Sequence, residues 1–312
     1  MSIRIFEEEY GNFGKCLVMS NGTVTARITV DVGPRIISYA LDGCRNVLNE
    51  DTQRSTYRDS DELHRFFGTD ENWYIYGGHR LWSSPESFPE SYTPDNSPVR
   101  YDISGGTVTF TPAPRTKVGE QHVMRVTLAE NGSGITVYHS LENISDKPIR
   151  LSPWCMTVGE KGGTLIVPQS REQTGLLSNR RLILWEYTDI RDERLYISNK
   201  YLTLRQTDKP EKFKIGMNNI DGWCAYVSDG QIFRKSFGYE RGVHYPDGGC
   251  NFETFTDRHI IEIETLGVLK TLAPGEKNEA AENWSLIPCD SGFDPQSDES
   301  IEAFVEKYKL AE

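Results

Sequence analysis

The chain has no CxxC pair, no cluster of basic residues and no apolar run near the roughly 20 residues a membrane span requires. Each absence excludes something. Its six cysteines (Cys16, Cys44, Cys155, Cys224, Cys250 and Cys289) are scattered, which argues against a zinc site or a thioredoxin-type motif. They read as reduced, structural thiols. Lys and Arg total 34 against 46 Asp and Glu, a formal charge of −12 over 312 residues. Phosphate-backbone binding needs clustered Lys and Arg, and Arg180-Arg181 is too short to count. Nucleic acid and anionic membrane are therefore not expected as partners. At the N-terminus, Ile5-Phe6 runs into Glu7-Glu8-Glu9, where a signal peptide would carry its apolar core. A cytoplasmic location is expected. Also missing are a Gly-x-Ser-x-Gly elbow, a P-loop, a GxGxxG turn and a His-Glu-x-x-His pair. Serine-hydrolase, nucleotide-dependent and zincin chemistries lose their support, and neither cofactor nor metal is expected.

Turn chemistry is plentiful. Asn21-Gly22, Asp42-Gly43, Gly105-Gly106, Asn131-Gly132, Asp229-Gly230 and Asp247-Gly248 are pairs that accept the positive φ of tight hairpins. Between them lie short β-branched and aromatic segments, including 23–30, 107–111, 123–129, 135–141, 202–206 and 259–266. In 135–141, Ile135, Val137, His139 and Leu141 alternate with Thr136, Tyr138 and Ser140, the mark of a half-buried antiparallel strand. Helical signals are few. Ile301, Phe304, Val305 and Tyr308 form one stripe after Ser297, and a shorter helix is predicted over 61–67. Many short strands with few helices predict an all-β sandwich or barrel. Six of the fifteen prolines fall between Pro85 and Pro114. With no composition shift on either side, 1–312 reads as one domain with a Pro-rich covering loop at about 84–115.

Three polar-aromatic clusters could carry chemistry. In the first, Tyr76-Gly77-Gly78-His79-Arg80-Leu81-Trp82 through Glu86, the glycines would let backbone approach a ligand. An extended run puts Arg80 and Trp82 on one face: a forked donor beside a flat ring, as a sugar requires. The other reading is a buried Arg–Glu pair with Trp82 in the core. The second cluster sets Trp154 at a strand start before the Gly-rich 159–163 turn, either as a pocket floor or as a structural ring. In the third, Asn251 shares a side with Glu253, and Glu262 shares a side with Glu264, opposite Ile261, Ile263 and Thr265. Such a face is either solvated or lines a polar groove, where like charges raise one pKa and suit acid–base work. His122 and His139 fall on apolar sides of their strands and read as core. His79 and His244, beside glycine and proline turns, are the candidates to reach a pocket.

The C-terminal run Ile263-Glu264-Thr265-Leu266, then Leu272-Ala273-Pro274-Gly275-Glu276 and Glu282-Asn283-Trp284, resembles the end of the galactose mutarotase (aldose 1-epimerase) superfamily. Val32-Gly33-Pro34-Arg35-Ile36 with Asn46-Val47-Leu48 resembles its opening strand and turn, and Asn143-Ile144-Ser145-Asp146-Lys147-Pro148 its central turn. Where that family places a catalytic histidine, this chain has Leu151-Ser152-Pro153-Trp154-Cys155-Met156. The resemblance is to a divergent branch. It implies a β-supersandwich of large antiparallel sheets with a short C-terminal helix, and assigns Glu264 the role of catalytic base. With His79 as the acid, Arg80, Trp82, Glu86, Trp154, Asn251, Glu253 and Glu262 would form the sugar site. The implied activity is epimerisation at the anomeric carbon of an aldose, a small-molecule carbohydrate better neutral than highly anionic. Two alternatives stand beside it: a non-catalytic carbohydrate-binding or sensing protein, and a lyase or hydrolase using the groove carboxylates.

Overall fold

A computed structural model describes residues 2–312. The turn pairs act where the sequence puts them. Asp229 and Gly230 both take positive φ, 46° and 72°, and join Trp223–Ser228 to Gln231–Phe237 as a two-residue hairpin. Gly105-Gly106 joins Arg100–Ser104 to Thr107–Thr111. Asp247-Gly248 has the same left-handed φ pair, 47° and 74°, but lies in a loop outside any hairpin.

The strands assemble into one antiparallel sheet of eleven strands and a second of ten, packed face to face. This is the expected supersandwich, with helices of only 7 and 10 residues at Asp61–Phe67 and Asp298–Lys307. Both helices start where the sequence places them, because Ser60 and Ser297 accept hydrogen bonds from Leu63 N and Ser300 N as N-caps. No helix among the described residues is long and apolar enough to cross a membrane. The six cysteines are unpaired.

The inner faces of both sheets share one apolar core, with Ile28, Tyr39, Phe213, Ile215 and Ile263 against Phe110, Val126, Val137 and Trp284. The C-terminal helix covers the outer face of the ten-stranded sheet, burying Ile301, Phe304 and Val305 against Ile166, Tyr201 and Trp223. The outer face of the other sheet stays partly open. Its central strands, in spatial order, are His79–Ser84, Ile149–Gly159, Ile261–Leu266, Phe252–Thr256 and Phe213–Met217. Leu63, Trp73 and Tyr92 pack on one end of this face against Trp82, Trp154 and Met156.

The Pro-rich stretch is narrower than the sequence suggests. Residues 85–99 hold only the 3-10 turn Glu90–Tyr92, whereas Arg100–Ser104 and Thr107–Thr111 are paired strands of the ten-stranded sheet. The glycines of the first cluster also differ from expectation. A Cβ at Gly77 would overlap the carbonyl oxygen of Asn49, and one at Gly78 that of Ile36. They admit the chain's own backbone rather than a ligand.

Candidate functional site

Register builds the site. Across the open face, Met156 pairs with Glu264 and Glu264 with Glu253, while Glu262 pairs with Phe255 and Phe255 with Lys214. Residues directly opposite in an antiparallel sheet project to the same side. Three carboxyls and one ammonium therefore meet on a surface that burial has dried.

Lys214 is the hub. Its Nζ lies 2.9 Å from Glu253 Oε2 and 3.2 Å from Glu264 Oε2. It also sits 4.9 Å from the Trp154 ring and 4.8 Å from the Trp185 ring, a cation between two aromatic faces. Trp154 Nε1 donates to Glu264 Oε2 at 2.7 Å. The second oxygens of Glu253 and Glu264 are buried and have no partner. Burial alone would lower the Lys214 ammonium, but the Glu264 and Glu253 charges outweigh it and hold it well above the usual lysine range.

One ammonium cannot neutralise three carboxylates in a dry site, so protons must. Burial pushes Glu253 up to about 8 against the pull of Lys214, with the Glu264 and Asp247 charges adding. Burial and the Glu264 charge push Glu262 up to about 8 as well. Burial raises Glu264 too, opposed by the Lys214 charge and by hydrogen bonds from Lys214 and Trp154, which favour its ionised form. All three carboxyls are thus held above the ordinary glutamate range, and Glu264 alone is held by both Lys214 and Trp154.

Above this floor lies a cleft in two connected parts, of about 480 and 370 Å³, that share Arg58, Glu86, Tyr92, Trp154, Trp185 and Lys214. Trp73, Trp82 and Tyr187 extend the aromatic wall, and Asp247 stands at the mouth on its left-handed turn. The Tyr92 hydroxyl donates to Glu86 and fixes the rim formed by 86–88. Aromatic walls around a few polar groups are the usual build of a small-molecule site.

Of the residues singled out in the sequence, Trp82, Glu86, Trp154, Glu253 and Glu262 line this cleft. Glu264 lies just beneath, fully buried. Arg80 is on the same face, but its guanidinium is buried against Trp82 at 4.1 Å and Trp73 at 4.8 Å and lines a separate, smaller cavity. Asn251 is not in the cleft. Its side chain bonds both the N and the O of Asn219, tying two loops together.

His79 is on the wrong side of the sheet for a cleft acid. Alternation turns it away from Arg80 and Trp82 and into the interior, with its Nε2 2.8 Å from His139 Nε2 and its Nδ1 2.8 Å from Thr157 Oγ1. Burial, then His139 and Lys235, hold its pKa well below the usual histidine range. No histidine is among the residues lining the cleft.

His79, His139 and Glu282 form the one cluster with metal-ligand spacing among the described residues. The oxygens of Glu282 already accept from Lys235, Thr265 and Trp284. The Lys235 ammonium, 3.1 Å away, opposes a second cation. These residues fit a polar core network, not a metal.

Sequence reasoning missed Lys214, Trp185, Tyr92, Arg58 and Asp247. The Lys214 strand, Phe-Lys-Ile-Gly-Met, alternates cleanly enough to put the lysine opposite its apolar neighbours. Only the pairing to Phe252–Thr256 shows that this side is not solvent.

No protein-family model matches the chain, and no curated protein sequence matches it. Solved structures do. A Klebsiella pneumoniae protein provisionally named an aldose 1-epimerase superimposes with a TM-score of 0.58 at 12% identity, over 96% of this chain and 84% of that one. A galactose mutarotase-like protein from Lactobacillus casei gives 0.53 at 12% identity, over 87% and 100%. A galactose mutarotase related enzyme from Lactobacillus acidophilus gives 0.54 at 12%, over 88% and 99%. The chain has the galactose mutarotase-like fold.

Proposed function

We propose that the cleft binds an aldose and interconverts its anomers by proton transfer between carboxyl groups, without a histidine. One observation carries this reading: three carboxyls with raised pKa values gather around Lys214 at the floor of an aromatic-walled cleft, and Glu264 alone among them also accepts from Trp154. Buried carboxyls with raised pKa values are suited to proton transfer near neutral pH. The names of the structural neighbours point to the same chemistry.

In this reading Glu264, whose Oε1 is unpartnered, takes the proton of the anomeric hydroxyl. Glu262 is half-buried at the cleft and its carboxyl has no hydrogen bond among the described residues, so it is free to give its proton to the ring oxygen. The bond from C1 to the ring oxygen breaks to give the open aldehyde. Rotation about C1–C2 and reversal of both transfers close the other anomer. No atom is gained or lost, and each positioned proton transfer typically contributes about 10²–10⁴-fold. Trp154 and Lys214 act as positioning residues that hold Glu264.

A second reading, binding without turnover, is favoured by the burial of Glu264 beneath the cleft surface. Anomer exchange followed by NMR over a panel of neutral aldoses separates the two. Catalysed exchange that Glu264→Gln abolishes while sugar binding persists supports the epimerase. Binding with no exchange for any sugar establishes the second reading, and neither binding nor exchange removes both.

A further inference from the structure

A small cavity of about 90 Å³ lies apart from the cleft, where Ile36–Leu41 and His79–Ser84 pair at a single position, Ile36 with His79, before diverging. Its walls include Arg80, Arg115, Asp95 and His122, and Pro94, Pro112 and Pro114 close over it. The register that pairs Ile36 with His79 sets Arg35 opposite Arg80 on one face. Like charges so placed repel, and neither is exposed: Arg35 is 0% and Arg80 3% accessible.

The charges here do not balance. Arg35 pairs with Asp95 at 2.9 Å, yet its Nη1 has no partner. Arg115 Nη1 stands 3.8 Å from Glu120 Oε2, too far to hydrogen-bond, while that same oxygen is 2.8 Å from His122 Nε2. Burial, with Arg115 adding, holds His122 down at about 4, so it is neutral. Arg80 is in no ion pair at all. Its Nε, Nη1 and Nη2 are all buried and unpartnered, and the guanidinium meets only the rings of Trp82 and Trp73, its Cζ 4.1 and 4.8 Å from their centres. Three arginines meet here beside Asp95 and Glu120, and five of their nitrogens are unsatisfied. An uncompensated buried charge is strongly disfavoured.

We propose that this cavity is a binding site for one small monovalent anion, a carboxylate or halide, held by the guanidinium of Arg80 with Arg115 and Arg35 beside it. An anion would satisfy the unpartnered guanidinium nitrogens, and the planar fork of Arg80 suits a carboxylate in particular. The ion would sit behind the Trp73 and Trp82 wall of the cleft, which Arg80 backs. Burial and the neighbouring Arg35 charge hold the Arg80 guanidinium well below its ordinary range, the signature of a cation lacking its partner.

The test is thermal unfolding of the intact protein at constant ionic strength, with chloride or formate replacing a bulky buffer sulfonate. A ligand of the native state alone lowers the unfolding equilibrium constant about tenfold per tenfold rise in free ligand above its Kd. That logarithmic dependence above Kd is expected for wild type and should vanish in Arg80→Met. Equal dependence in both proteins overturns the site, as does none in wild type. If Arg80→Met does not fold, wild-type crystals soaked in bromide decide: an anomalous peak within hydrogen-bond reach of Arg80 upholds the site, and a peak only elsewhere, or none, overturns it. None of these readings involves a sugar or turnover.

Discussion

Replacing Glu253 by glutamine tests the assignment of protons in the cleft floor. Glu253 is 1% exposed, and its carboxyl is pushed up to about 8, against about 4.3 for an unfolded glutamate. A folded pKa above the unfolded one means that the native state holds a proton which the unfolded chain releases. This stabilising contribution is complete below about pH 4 and is lost as pH rises through about 8. One proton corresponds to about 1.4 kcal/mol per pH unit, hence on the order of 5 kcal/mol across the window. Glutamine keeps the shape and cannot titrate. Relative to wild type, Glu253→Gln should therefore gain stability as pH rises from 5 to 8, by up to about 1.4 kcal/mol per unit. At pH 5, where both side chains are neutral, the two proteins should differ by only about 1 kcal/mol, the scale of one altered hydrogen bond. Urea unfolding at pH 5, 6, 7 and 8 and fixed ionic strength reads the difference directly. A difference that stays flat, or moves the other way, would show Glu253 ionised throughout and refute the proton assignment.

Lys214→Met removes the only cation, among the described residues, hydrogen-bonded to Glu253 and Glu264. At pH 8 it should cost about 3–5 kcal/mol, as breaking a buried pair does, and clearly less at pH 5, where the carboxyls can keep their protons. Urea unfolding at the two pH values checks this, and an equal loss at both would show that the lysine does not set the charge of the cluster. Gly78→Ala should destabilise by on the order of 3 kcal/mol, because φ is +65° and the new Cβ would meet the Ile36 carbonyl. An unchanged melting temperature would mean that the two chains can separate there at no cost.

Much of the fold was legible because its signals are local. A turn such as Asp229-Gly230 needs only two residues tolerant of positive φ, and Thr107–Thr111 takes the strand bounds its sequence suggests. The capped helices at Asp61–Phe67 and Asp298–Lys307 likewise depend on a serine and one turn of chain. Period-two alternation was enough to put Glu262 with Glu264, and Arg80 with Trp82. Applied consistently, the same alternation already turns His79 away from Arg80. Placing His79 in the cleft rested on nearness along the chain, which a strand does not convert into a shared face.

What the sequence determined by itself was thus the set of strands and turns, and which neighbours along each strand look the same way. The tertiary structure decided which strands lie side by side. That choice brings Lys214 within 3.2 Å of a carboxylate fifty residues away, puts Trp185 over it and buries Arg80 behind Trp73. It also raised the carboxyl pKa values in the cleft floor, because burial and neighbouring charges come from groups that only folding assembles. Strand pairing is a non-local property, and so is the charge state of a buried group. Neither is written in any one stretch of chain.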